Sequence, residues 1–316
     1  MKSKKVFFSI VVPCYNVQDT LKETIESILK QDFNNYEIVA VDDGSFDKTS
    51  QILNNYKIKN NIKVIKQSNK GLGAARNTGI KASDGIYICL LDADDLWVPN
   101  KLTKVHEIIK NKKYSLISND EIILGNNYLF YLRNNPPKSI SNLLISGNTL
   151  SPSAITIKKE IFDKVGLFKE GKQFLGVEDW DFWIRLIDSG EKIKHLAEPL
   201  GIYRRDIQNM SKSKEFTNRI INIHRNNSRY FHSKGIISTA DIKNWETFLL
   251  ISNFINHRLK TNLISISEHL IKGGFRYLFT YSFFKILFRL IFRKIQGIVL
   301  TLSKYKRLKC IAKELL

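Results

Sequence analysis

Short runs of Val and Ile recur through the first hundred residues with helical patterns between them, and no other feature limits the fold as strongly. Val6–Val12, Glu37–Asp42, Ile62–Lys66 and Ile86–Asp92 read as buried strands. Between the first two, Leu21, Ile25, Ile28 and Leu29 recur at helical spacing, and Thr20 with Glu23 fits a capping box. Further helices are expected over Asp47–Tyr56, Gly73–Ala82 and Pro99–Asn111, where Pro99 suits a first turn. Strands alternating with helices predict an α/β fold, a Rossmann-like and mostly parallel central sheet with helices on both faces.

After Tyr114 the pattern loosens. Asn134-Asn-Pro-Pro-Lys138 is a break and Ser146–Ser153 a loop, while Lys158–Val165 and Glu178–Asp188 read as helices before a strand-like Lys192–Leu196. Beyond Ser211 the chain reads as helical and basic. The expected division is a body over residues 1–210, with halves at about 1–113 and 114–210, and a basic helical extension over 211–316.

Charge supports that division. The chain carries a net +20, yet residues 211–316 hold 20 Lys and Arg against 5 Asp and Glu. A near-neutral body with a cationic tail suggests an anionic partner, nucleic acid or membrane. A 43% apolar composition excludes a disordered chain, and no stretch of about 20 residues is free of charge, which disfavours a membrane span. Cys14, Cys89 and Cys310 are too few and scattered for a disulfide framework or a zinc site, so buried reduced thiols in a cytosolic protein are expected. Met1–Lys5 before an apolar run imitates a signal peptide, but the run is short, reaches Pro13 and has no cleavage site, so a buried strand explains it better.

Open α/β sheets bind ligands beyond the carboxyl ends of their strands. Here the first strand exits into Pro13-Cys-Tyr-Asn16, the second into Asp42-Asp-Gly-Ser45 and the fourth into Asp92-Ala-Asp-Asp95. Turn formers and helix caps account for any one of these acids. Five carboxylates at two neighbouring exits, however, would repel one another unless a cation or hydrogen-bond donors were present. The first turn lacks G-x-G-x-x-G and no P-loop occurs, which argues against a nicotinamide enzyme and a P-loop nucleotidase.

Four blocks carry a resemblance: Ser9-Ile-Val-Val-Pro-Cys-Tyr-Asn16, Val41-Asp-Asp-Gly-Ser-Phe-Asp-Lys-Thr49, Gly71-Leu-Gly-Ala-Ala-Arg-Asn-Thr-Gly79 and Leu91-Asp-Ala-Asp-Asp-Leu-Trp97. In this order the chain resembles the family-2 glycosyltransferases over roughly residues 6–210. The resemblance implies the A-type glycosyltransferase fold and a nucleotide-diphospho-sugar donor. It places Pro13, Tyr15 and Asp43 against base and ribose, has Asp42 and Ser45 shape the turn, and sets Arg76 on the nucleotide side of the cleft. Asp92 and Asp94 are similar to the family's D-x-D motif. Asp94 is then the direct ligand of Mn²⁺ or Mg²⁺, and Asp92 contacts ribose or the ion's waters. A hard divalent ion would offset charge gathering on a departing diphosphate.

Gly176-Val-Glu-Asp-Trp-Asp-Phe-Trp183 resembles the family's acceptor-side block, with Asp179 at the general-base position and Glu178 holding the acceptor or orienting the loop. One base and no enzyme nucleophile implies inversion at the anomeric carbon. Taken alone the pair suits first-turn acids favoured by a helix dipole, but after the four upstream blocks the acceptor-side reading is preferred. Trp180 and Trp183 share a helix face; core packing suits them better than sugar stacking. Tyr203-Arg-Arg-Asp206 resembles a block that commonly ends in His, so Asp206 becomes a candidate third ligand, and Arg204 either approaches the diphosphate or forms an ion pair.

In the tail, Lys285, Arg289 and Arg293 recur every four residues among Phe and Leu. That pattern suits a helix lying in an anionic membrane surface, or alternatively packing on the body. No nucleic-acid-reading motif accompanies the charge. The reading is an inverting, metal-dependent glycosyltransferase acting on a saccharide or lipid-linked saccharide for cell-surface polysaccharide, peripheral on the cytoplasmic face of the membrane. A nucleotidyltransferase and an inactive membrane-bound adaptor are the alternatives.

Overall fold

A computed structural model describes residues 5–242 apart from 61, 111–113, 126–127, 133 and 205–213. The order is β1 (Phe8–Cys14), α1 (Leu21–Leu29), β2 (Tyr36–Asp42), α2 (Thr49–Asn60), β3 (Lys63–Lys66), α3 (Leu72–Ala82), β4 (Tyr87–Leu90), β5 (Leu96–Trp97) and α4 (Lys101–Ile109). The second half adds β6 (Leu116–Gly125), β7 (Tyr128–Leu132), α5 (Ile140–Ser146), β8 (Ile155–Lys158), α6 (Ile161–Val165), α7 (Glu178–Asp188), β9 (Ile193–Arg204) and α8 (Lys214–Ser233).

Among the described residues these strands form one sheet in the order β3-β2-β1-β4-β8-β6-β9-β5, with β7 beside β6. β1 pairs in parallel with β2 and β4, and β2 with β3, while β8 runs antiparallel to β4 and β6. β1 is buried along all seven residues because it is central and covered on both faces. Its alternation sends Phe8, Ile10, Val12 and Cys14 into one core with Leu21, Ile25 and Ile28 of α1 and Leu102 of α4. Val11 faces a second core with Ile80 of α3 and Phe182 and Trp183 of α7. From β1 the chain proceeds outward to β2 and β3, then returns to add β4 on the other side. The carboxyl ends of β1 and β4 therefore flank a switch point, where such sheets open a crevice.

The helix expected over Lys158–Val165 is shorter, Ile161–Val165, because Lys158 ends strand β8 and Lys159 and Glu160 form a turn. The first part of the segment expected as a basic extension touches the body. Ile223, Phe231 and Ile237 belong to the second core with Trp180 and Trp183, so residues 214–242 pack on the body. Cys14 and Cys89 are buried free thiols. Among the described residues no helix is long and apolar enough to cross a membrane. The cationic Phe-rich segment around residues 273–294 and Cys310 lie outside the described residues.

Candidate active site

Two strand exits are laced together before any ligand is considered. The Asn16 backbone, at a φ of 51°, donates its N–H to Ser45 Oγ at 3.1 Å, and Phe46 N donates to Asn16 Oδ1 at 3.0 Å. Asp42, at the end of β2, accepts from Ser45 N at 2.9 Å and from the Ser50 hydroxyl, so Asp42 and Ser45 do shape this turn. Asp43 is buried and accepts from Gln67 Nε2 at 2.7 Å, Lys70 N at 2.9 Å and Gly71 N at 2.8 Å. Its carboxylate thus braces the loop that leads into α3. Gly44 sits at a φ of +76°, and a Cβ there would lie 2.8 Å from Asn69 N. Pro13 is buried within β1, whereas Tyr15 is 44% exposed beside Phe46, which is 83% exposed. Their rings meet edge to face at 6.2 Å, forming an open aromatic wall at this exit.

Beyond β4 the chain turns on an Asp95 N to Asp92 O bond of 3.0 Å. Asp94 is exposed, and its own backbone N–H donates to its carboxylate. The protein crowded around it, and the adjacent charge of Asp92, push its pKa up to about 6. Asp95 instead is buried, accepting from Ser153 Oγ at 2.5 Å and Arg204 N at 3.0 Å. Burial first, then Asp94 and Glu121, hold its pKa well above the carboxylate range. Ser153 is the fastener behind this turn. Its Oγ accepts from Asp92 N at 3.1 Å, and its carbonyl accepts from Trp97 Nε1 at 2.9 Å and Lys101 Nζ at 2.7 Å.

Two expectations near this turn need correction. Thr20 makes no cap to α1; its hydroxyl donates to Ala93 O at 2.9 Å, as does that of Thr24. Glu23 pairs with Arg204 rather than completing a box. Arg204 also donates to the Asp94 carbonyl, beside its ion pair with Glu23. The start of α1 and the end of β9 thus clamp the Asp92–Asp95 turn from outside.

Arg76 joins the two halves. It is buried on α3, with Nη2 donating to Asp92 Oδ1 at 2.7 Å and Nη1 to Glu178 Oε1 at 2.6 Å. Glu178 is 1% exposed and its other oxygen accepts from Gly176 N at 2.7 Å. Both oxygens have partners within the protein, and the bond to Gly176 N ties Glu178 to the loop that precedes α7. Asp179, next on α7, is half-buried. Its Oδ1 accepts from Trp180 N and its Oδ2 from Asn148 Nδ2, both at 2.7 Å. Burial and the charge of Glu178 push its pKa up to about 7, against the opposing pull of Arg76. Trp180 and Trp183 are buried in the core, 2% and 0% exposed, which rules out sugar stacking. Asn148 carries no motif; only its position beside Asp179 marks it.

Among the described residues no three His, Cys, Asp or Glu side chains converge on a metal position, and Asp206 lies outside them. The available groups are Asp94, and Asp92 beside it, all oxygen. A hard cation that keeps waters or takes phosphate oxygens for its remaining ligands fits this set, and the raised pKa of Asp94 marks a place where positive charge is wanted.

The family model described as Glycosyl transferase family 2 matches residues 9–166. The UDP-Glc:alpha-D-GlcNAc-diphosphoundecaprenol beta-1,3-glucosyltransferase WfaP of Escherichia coli is 31% identical over 193 residues, 59% of this chain and 72% of that protein. Among solved structures, S. aureus TarS 1–349 in complex with UDP-GlcNAc aligns with a TM-score of 0.62 at 22% identity, covering 81% of this chain and 76% of that one. The mannosyltransferase PcManGT from Pyrobaculum calidifontis, in complex with GDP-Man and Mn²⁺, aligns with a TM-score of 0.57 at 15% identity, covering 94% and 87%. The fold shared with both is the A-type glycosyltransferase fold.

Proposed function

Because the chain belongs to glycosyl transferase family 2, we propose that this glycosyltransferase moves a sugar from a nucleotide-diphospho-sugar to a saccharide or lipid-linked saccharide, with inversion and with help from Mn²⁺ or Mg²⁺. The observation that carries this is the Arg76 bridge: one buried guanidinium draws the Asp92–Asp95 turn and the Glu178–Asp179 helix start to a single place. A donor diphosphate site without an acceptor base, or the reverse, would need no such link.

The residues divide the work. Tyr15 and Phe46 form the open wall against which a base stacks, and the braced turns at Asp42 and Asp43 fix the floor. Asp94, with Asp92, would hold the divalent ion, which when bound neutralises charge on the leaving diphosphate. Asp179 takes the proton from the attacking acceptor hydroxyl. A pKa of about 7 leaves it partly ionised at neutral pH, with enough basicity to share that proton in the transition state. With no enzyme nucleophile, a single displacement inverts the anomeric centre.

The relative named as acting on a diphosphoundecaprenol-linked sugar with UDP-Glc supports a UDP-sugar donor and a lipid-linked acceptor in surface-polysaccharide synthesis. The cationic tail supports a peripheral place on the cytoplasmic face of the membrane. A thermal-shift screen of UDP-, GDP- and dTDP-sugars, with and without Mn²⁺, followed by turnover on lipid-linked acceptors tests this. Release of nucleoside diphosphate with sugar transfer is expected. Diphosphate release from a nucleoside triphosphate would favour a nucleotidyltransferase, and failure to bind any nucleotide-sugar would favour an inactive adaptor.

A further inference from the structure

Asp179 is gripped from outside its own helix by Asn148. That residue sits just after α5, past Gly147 at a φ of 73°. Leu150 N donates to Asn148 Oδ1 at 3.1 Å, so the amide oxygen is fixed toward its own backbone and the NH₂ group is turned to Asp179 Oδ2. The flipped amide would set oxygen against carboxylate and NH₂ against N–H, so this orientation is determined.

The segment carrying Asn148 is itself tied down. Thr149 Oγ1 donates to Asn135 O at 3.2 Å, Ser151 N donates to Asn134 Oδ1 at 3.2 Å, and Ser153 fastens the Asp92–Asp95 turn. Asn148 is exposed, so burial does not require its hydrogen bond. The bond goes instead to one oxygen of the group argued above to be the base.

We infer that Asn148 is the positioning residue for Asp179: it aims Oδ2 by hydrogen bonding and holds the carboxylate in its ionised form. This rests on the glycosyltransferase reading and deepens it. An amide donor stabilises the charged carboxylate more than the neutral acid, so its removal favours the protonated form. The charges facing Asp179 are few. Glu178 lies beside it on α7, and Arg76 approaches from α3 with Asp92 behind it. Asp181 and Arg185 of α7 pair with each other, and Lys164 of α6 pairs with Glu191. Asp163 of α6 lines a surface groove with Lys81 and Lys159, α5 carries no charged side chain, and His224 of α8 lies against the Trp180 ring.

The test compares kcat against pH for the full chain and for Asn148→Ala and Asn148→Asp, with a carbon-13 NMR titration of the Asp179 carboxyl identified by its loss in Asp179→Asn. In Asn148→Ala the acid limb and the carboxyl titration should both move up by about one unit, which is a loss about tenfold greater at pH 6 than at pH 8.5. Asn148→Asp keeps the shape but sets a second carboxylate beside the base, so both should move further. A uniform loss at every pH with an unmoved titration would mean a merely structural role and overturn the proposal. If the wild type transfers no sugar from any nucleotide-sugar, the glycosyltransferase reading fails; the carboxyl titration still decides what Asn148 does to Asp179.

Discussion

Asp94 and Asp179 are proposed for different duties, and their surroundings separate them. Asp94 is exposed, with its own backbone N–H at its carboxylate, while Asp179 is half-buried and held at both oxygens. Asp94→Asn removes the charge that faces the ion and should weaken Mn²⁺-dependent donor binding in calorimetric titration. Equal Mn²⁺-dependent affinity in both proteins would remove Asp94 from the metal site. Asp179→Asn keeps the shape but cannot take a proton at neutral pH, so transfer should fall about 10²–10⁴-fold while nucleotide binding persists. Wild-type turnover at saturating donor and acceptor would reject the base assignment. The motifs made both residues visible in the sequence. They could not show that Glu178, one position before the base, is spent on Arg76 and Gly176, because burial and partner depend on a helix 102 positions away in sequence.

Helix α3 is held close to the second half along its length. Asn77 donates to Phe168 O at 2.9 Å and accepts from Phe168 N at 3.0 Å, and a Cβ on Gly73 would lie 2.5 Å from Lys169 O. Gly73→Ala should therefore destabilise. The helix gains about 1 kcal/mol of propensity, but a methyl driven into a backbone carbonyl costs about 1–3 kcal/mol or more. A higher melting temperature for Gly73→Ala would show that the loop yields. Helix α8 makes a second prediction. His224 is buried beside Ser228, and desolvation lowers its pKa from 6.5 to about 3. The unfolded chain therefore binds a proton that the native one refuses between those values, and stability is lost as pH falls through that window. His224→Gln should show a shallower loss of melting temperature from pH 7 to pH 4.5. Equal slopes would place the acid sensitivity elsewhere.

For the molecule as a whole, the second core places a limit on what can be removed. Ile223, Phe231 and Ile237 cover Trp180 and Trp183, so a chain ended at Ser213 should lose its cooperative melt, while one ended at Ile242 keeps it. The membrane proposal belongs to the residues beyond. The full chain should sediment with anionic vesicles and the chain ended at Ile242 should not. Each basic residue near the surface contributes roughly 1 kcal/mol. Salt should weaken that binding without erasing it, since inserted aromatics are not screened. Equal sedimentation of both chains would end the interfacial-helix idea.

Local chemistry made the first half legible. A strand covered on both faces must be continuously apolar, and a turn at its carboxyl end must use Pro, Gly, Asn or Asp, so β1, β2 and β4 and their exits announce themselves. The second half writes less of itself into periodicity. β6 carries buried Ser118, Asn119, Asp120 and Glu121, which interrupt a strand pattern with polar side chains and are bonded by His195, Tyr131 and Asn134. Thr20 and Glu23 satisfied a capping pattern locally, yet Ala93 and Arg204 drew them away. The residue types at the strand exits are legible locally, because backbone geometry there permits few others. Which side-chain partners those carboxylates meet is settled by packing between distant parts of the chain. A buried charge must find a partner, and Arg76, Ser153 and Asn148 supply partners from parts of the chain that no local pattern connects.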